Sequence, residues 1–154
     1  MVGGGLLLAA ACDLRIASVG TSCALPEVDL GIPLLWGGVP LLCDTLGSTL
    51  SKEMVLTGRR VGDEELLDRG FWNQVCAEED RQAEVTLLAA ELAAKPVGPL
   101  LASKKQFQRA QQSRFEGLRA FDSRIGMDVV QDPAFVTDVL RYLQRMRSGK
   151  PSSD

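Results

Sequence analysis

The sequence predicts an α/β domain followed by a helical C-terminal region, and three observations predict it. Between residues 13 and 76, short stretches with strand-like alternation are interleaved with helix-forming runs. From Glu78 onward the apolar residues recur at helical spacing, interrupted by prolines rather than by strands. No internal repeat or interdomain linker divides the 154 residues, enough for one domain that buries about two thirds of its unfolded surface. The natural division is at Pro96, with a core over residues 1–96 and a helical region over residues 97–154.

Taken in order, the triplet Gly3-Gly4-Gly5 opens the run Leu6-Leu7-Leu8-Ala9-Ala10-Ala11-Cys12, rich in strong helix formers. A helix starting there leaves first-turn N–H groups unpaired beside the positive end of its dipole. Glycines let a ligand approach those donors, so the triplet is a binding place for an anion or a developing oxyanion. Asp13 to Ala17 reads as a short strand, Ser18 to Thr21 as a turn, and Cys23-Ala24-Leu25 as another strand. Pro26 keeps Leu25 extended, which puts Glu27 on a turn.

Gly37-Gly38 begins a helix through Leu46, with Pro40 in its first turn. Ser48 or Ser51 is placed to cap the next helix, which Gly58 ends. Asp63-Glu64-Glu65 puts acids in the first turn of a short helix stopped by Gly70, and Phe71 to Cys76 is a strand. Glu78 to Lys95 is a long amphipathic helix carrying Val85, Leu88 and Leu92 on one face. From Leu100, Leu101, Phe107, Phe115, Leu118 and Phe121 give a charged helix a discontinuous apolar stripe. Asp132-Pro133 opens the last helix, with Phe135, Val139, Leu140, Leu143 and Met146 as its apolar seam. Ser148 to Asp154 is expected to fray.

Composition narrows the chemistry. A hydrophobic content of 45% with 24% charged residues is globular, and a net charge of −3 gives no reason to invoke nucleic acid or an anionic membrane. Arg59-Arg60 and Lys104-Lys105 read first as solvated faces and second as contacts for a phosphorylated ligand. Cys12, Cys23, Cys43 and Cys76 show neither CxxC nor metal-ligand spacing and read as buried thiols in a reducing compartment. Histidine is absent, which removes Ser-His and Cys-His pairs, the commonest zinc ligand and the usual general base. Acid/base chemistry therefore rests on a carboxylate, a lysine, Tyr142 or bound water. The apolar run near Met1 lacks a basic flank and is too short to span a bilayer, so the expected location is cytoplasmic.

The stretch G-G-G-L-L-L-A-A-A-C-D-L-R-I-A-S, then L-P-E-V-D-L-G-I-P, resembles the enoyl-CoA hydratase/isomerase (crotonase) family. The resemblance resumes from Lys52 to Val75 and fades after about Gln108, so it covers roughly two thirds of the chain in three ordered blocks. It implies the later turns of a crotonase-like ββα spiral followed by helices that mediate oligomerisation, as a trimer or a dimer of trimers. It implies acyl-CoA thioesters as substrates, with no cofactor beyond the coenzyme A they carry. By motif position, Gly4 N–H is an oxyanion donor and Glu27 the acid/base. Family members often read I-P-G-x-G-G where this chain has Ile32-Pro33-Leu34-Leu35-Trp36-Gly37-Gly38. The resemblance places Leu7, Leu34, Leu35 and Trp36 at the substrate pocket, where Leu34, Leu35 and Trp36 either narrow it or pack the core.

Two departures set the functional expectation. The family's hydratases carry a second glutamate where this chain has Leu7, which cannot move a proton. A single carboxylate resembles the isomerases, where one group shuttles a proton between carbons. Members of the family also have a domain half before the triplet, whereas this chain opens at Met1-Val2. That leads to the expectation that Leu6, Leu7 and Leu8 lack a covering strand and that the chain is inactive alone. The alternative is a truncated, catalytically inactive relic or a structural subunit.

Overall fold

The computed structural model describes residues 1–115 and 118–148. Helix α1 (Gly4–Ala10) starts within the glycine triplet. Gly3 precedes it with φ 53°, a conformation that glycine adopts without a Cβ penalty. Its carbonyl accepts the Leu6 and Leu7 N–H groups at 2.9 and 3.3 Å, and this starts the helix before the leucine run.

Strand β1 (Ile16–Ser18) and strand β2 (Ser22–Cys23) follow. Then come α2 (Gly38–Leu46), α3 (Ser48–Thr57), β3 (Val61–Gly62), α4 (Asp63–Asp68) and β4 (Gln74–Cys76). β1 pairs in parallel with β4, Ile16 opposite Gln74, and β2 pairs antiparallel with β3, Cys23 opposite Val61. The remaining described elements are helices: α5 (Arg81–Ala93), α6 (Val97–Phe115), α7 (Leu118–Gln131) and α8 (Phe135–Arg147). The axes of α5 and α6 meet at 107° across Pro96.

Several elements differ from expectation for identifiable reasons. The first strand is Ile16–Ser18 rather than Asp13–Ala17. Arg15 lies just before it, its N–H bound to Asn73 Oδ1 at 2.8 Å and its guanidinium 4.8 Å over the Phe71 ring. Phe71 and Trp72 stay out of β4 because both N–H groups turn back to Leu66 O, at 2.8 and 3.4 Å. Neither Ser48 nor Ser51 caps α3: Gly47 stands there without a side-chain bond, and Ser51 Oγ donates back to Gly47 O at 2.7 Å. The helix expected over Glu78–Lys95 is Arg81–Ala93, preceded by a turn in which Asp80 N–H reaches Ala77 O at 3.1 Å. On α8, Phe135 and Val139 are half-buried while Leu140, Leu143 and Met146 are exposed. Of the four cysteines expected to be buried, Cys23 is buried within β2, Cys43 and Cys76 are half-buried, and Cys12, just past the end of α1, is exposed. Of the segment expected to fray, residues 149–154 lie outside the described residues.

The core gathers Leu6, Leu25, Leu42, Leu50, Met54, Val61, Leu66 and Phe71, with α1 packed on α2 and α2 on α3. The expectation of three uncovered leucines is corrected: Leu6 is 0% exposed and Leu7 8%, and only Leu8, at 75%, faces outward. Helical geometry explains the split, since one turn buries one side and leaves the other in solvent.

Candidate active site

Glu27 reaches the glycine triplet through a backbone bridge. Val2 pairs in parallel with Ala24, Gly3 N–H donates to Ala24 O at 2.9 Å, and Ala24 N–H donates to Met1 O at 3.1 Å. Three residues beyond Ala24, the chain turns: Leu30 N–H bonds Pro26 O and Ile32 N–H bonds Glu27 O, both at 3.0 Å. The turn aims the Glu27 carboxylate back at Gly3. A Cβ on Gly3 would stand 2.8 Å from Glu27 Oε1, so the carboxylate occupies the space the glycine leaves.

The other carboxylate oxygen, Oε2, is buried without a hydrogen-bond partner among the described residues. Burial pushes the Glu27 carboxyl above the ordinary carboxylate range, opposed in part by its own backbone N–H. A carboxylate with one oxygen unpartnered and a raised pKa is a group suited to take up and return a proton. Beside it, the triplet's donors are unequally used. Gly3 N–H goes to Ala24 O and Gly5 N–H to Val2 O, whereas Gly4 N–H has no partner among the described residues. One free donor therefore lies one residue from the glycine against which the carboxylate packs.

The pocket residues divide. Leu7 and Leu34 meet over Gly38 in the core: a Cβ on Gly38 would lie 2.9 Å from Leu34 Cγ and 3.1 Å from Leu7 Cδ1. Trp36 is 84% exposed, and its Cζ3 would be 3.2 Å from a Cβ on Gly4. With Leu35 it lines a cleft of about 680 Å³ that extends to Phe115, Leu118 and Asp122. The structure thus brings Glu27, Gly3, Gly4 and Trp36 together and puts Leu7 and Leu34 behind them.

Sequence reasoning did not single out Gly3 or Asp122. The triplet was a signal for Gly3, since a glycine before a helix often takes positive φ. Nothing in the sequence pointed to Asp122, whose Oδ2 accepts Gly37 N–H at 2.7 Å across 85 residues.

The model for enoyl-CoA hydratase/isomerase matches residues 1–148. The chain belongs to the enoyl-CoA hydratase/isomerase family. It is 44% identical over 110 residues to carnitinyl-CoA dehydratase of Shigella flexneri, covering 70% of this chain and 41% of that protein. The chain thus spans about two fifths of the length of such relatives. In fold it is similar to an enoyl-CoA hydratase/isomerase of Pseudoalteromonas atlantica, at TM-score 0.84 and 17% identity over 99% of this chain and 60% of that one. It is also similar to the ECH2 decarboxylase domain of CurF from Lyngbya majuscula, at TM-score 0.79 and 24% identity over 91% of this chain and 58% of that one. Both carry the crotonase fold, as this chain does in part.

Family membership gives the Gly3–Glu27 contact a test. Gly3→Ala is expected to destabilise the fold by about 1–3 kcal/mol, because φ 53° with ψ −125° is a backbone conformation that residues with a Cβ avoid. It should also displace the Glu27 carboxylate, because the methyl and Oε1 cannot both occupy a 2.8 Å gap. Thermal melts would read the first effect and turnover the second. An unchanged melt would show that Gly3 does not hold this conformation.

Proposed function

We propose that the protein acts on acyl-CoA thioesters as an isomerase-type member of its family, with Glu27 as the single proton carrier. The observation that carries this reading is a Glu27 carboxylate packed against Gly3 with Oε2 buried and unpartnered, one residue from a Gly4 N–H unpaired among the described residues, with leucine at the second acid position that the resemblance implies. Glu27 takes a proton from C2 of a 3-enoyl thioester, and the electron pair moves onto the thioester oxygen, which Gly4 N–H stabilises. The protonated carboxyl then delivers that proton to C4 as the double bond moves to C2–C3. No cofactor enters the cycle. An oxyanion donor of this kind contributes about 3 kcal/mol in the transition state.

The likeness to a carnitinyl-CoA dehydratase favours a second reading, loss of water from a 3-hydroxyacyl thioester. The same carboxylate would take the C2 proton and return it to the departing C3 hydroxyl, giving water and a 2-enoyl thioester. Paired assays separate the two. The isomerase reading expects conversion of a 3-enoyl-CoA to its conjugated isomer at least about 100-fold faster than water adds to the 2-enoyl-CoA, the lower end of what one missing acid/base group costs. Comparable rates favour the dehydratase reading, and neither activity in a folded sample favours a non-catalytic subunit. Self-association is part of the proposal, supported by the exposed Leu140, Leu143 and Met146 of α8.

A further inference from the structure

The grip on Trp36 deepens the acyl-CoA reading and rests on it. Trp36 has φ 60°, which a bulky residue rarely adopts, and strain of this kind persists only where the surroundings hold it. Burial of the side chain does not offset that strain, because the indole is 84% exposed. The hold comes instead through both neighbours, from the far end of the chain. On one side Leu35 packs on α7 at Gly126, where a Cβ would stand 3.0 Å from Leu35 Cδ1. On the other, Gly37 N–H donates to Asp122 Oδ2 at 2.7 Å, and Phe115 Cδ1 lies 3.5 Å from where a Gly37 Cβ would be. Gly37 is itself left-handed at φ 68° and is the N-cap of α2, with no side chain of its own to serve there. The half-buried Asp122 brings a carboxylate to that end of α2 from α7, at the positive pole of the helix.

What the strained residue faces is the oxyanion donor. Its Cζ3 would be 3.2 Å from a Cβ on Gly4, the residue whose N–H is unpaired among the described residues. An apolar edge on that flank keeps water from the donor, and a hydrogen bond to a developing oxyanion is stronger where water is excluded. A hydrogen bond to an ionised acceptor is among the stronger ones, which suits it to hold a strained backbone. We infer that Asp122 is a positioning residue for the reaction: by fixing Gly37 N–H it keeps Trp36 left-handed and its indole against Gly4, where it shields the oxyanion donor. Asp122 acts only through Gly37 and Trp36.

The test is a double-mutant cycle on the full chain, read by turnover of an enoyl-CoA thioester in variants shown by circular dichroism to be folded. Asp122→Ala is expected to lower kcat about tenfold to a hundredfold with KM little changed, the pattern of an interaction made in the transition state. Asp122→Asn keeps an acceptor for Gly37 N–H and is expected to restore most of that loss. In a Trp36→Gly background no indole remains to be placed and the backbone is unstrained, so Asp122→Ala is expected to cost nothing further. Amide NMR supplies a readout that needs no turnover. The Gly4 signal, displaced by the ring current of the indole, should move in Asp122→Ala toward its position in Trp36→Gly, and should stay in Asp122→Asn. Unchanged kcat in folded Asp122→Ala, an equal loss in the Trp36→Gly background, or a Gly4 signal that keeps the parent's position overturns the inference and leaves the acyl-CoA reading standing. A folded parent that turns over no enoyl-CoA overturns both.

Discussion

Glu27→Gln is expected to lower turnover of an enoyl-CoA thioester by about 10²–10⁴-fold, the range a positioned acid/base contributes, while the protein stays folded. The amide keeps the shape of the carboxyl and cannot take a proton. No histidine is present to substitute for it, and Leu7 stands where the resemblance to the family's hydratases implies a second glutamate. Stability should move the other way. Burial raises the Glu27 pKa in the folded state above its ordinary value of 4.5. The folded protein therefore binds this proton more tightly than the unfolded chain does. The associated stability is fully present below pH 4.5 and is lost as pH rises through the higher folded value. At neutral pH the variant should melt at or above the parent's temperature, with that advantage shrinking on acidification. Turnover of the parent should rise with pH through the same window, because the base must be ionised to accept a proton. Undiminished turnover in Glu27→Gln would remove Glu27 from the mechanism.

Leu7→Glu restores the residue type that the hydratases carry, yet it is expected to cost about 3–5 kcal/mol of stability without conferring water addition. Leu7 is only 8% exposed, and its Cδ1 packs over Gly38 beside Leu34. A carboxylate there would lose its water and gain no partner, so it would either remain protonated or open the core. Protonated, it is a poor base for activating water. Denaturant unfolding together with a 2-enoyl-CoA hydration assay would check both halves of this expectation. A variant as stable as the parent that hydrates the substrate would show that position 7 is open to the site and that leucine alone separates this chain from a hydratase.

Much of the architecture was legible because it is governed by local chemistry. Gly58, in the left-handed conformation at φ 65°, ends α3 where a glycine C-cap belongs. Asp63, Glu64 and Glu65 fill the first turn of α4, and Gly70 follows it. Strand limits were less legible. Ile16–Ser18 has few features of its own, and its ends are set by a partner 58 residues away in Gln74–Cys76. The Ser51 hydroxyl, a good cap in isolation, bonds back to Gly47 O because the glycine already occupies the cap position.

By itself the sequence determined the range of possible chemistry. With no histidine and no CxxC or metal-ligand spacing among the cysteines, it left acid/base chemistry to a carboxylate, a lysine, Tyr142 or water, and the family resemblance pointed to Glu27 among them and to the glycine triplet as the place for an oxyanion. These are properties of residue type and short-range order. Only the tertiary structure decided which residues meet: Glu27 Oε1 against Gly3, Trp36 against Gly4, Asp122 on Gly37 N–H, and Leu7 with Leu34 in the core. Each of these contacts joins segments distant in the chain, and each depends on a backbone feature that residue types alone do not reveal. The Val2–Ala24 bridge and the positive φ of Gly3 and Trp36 are such features, held in place by packing from several elements at once.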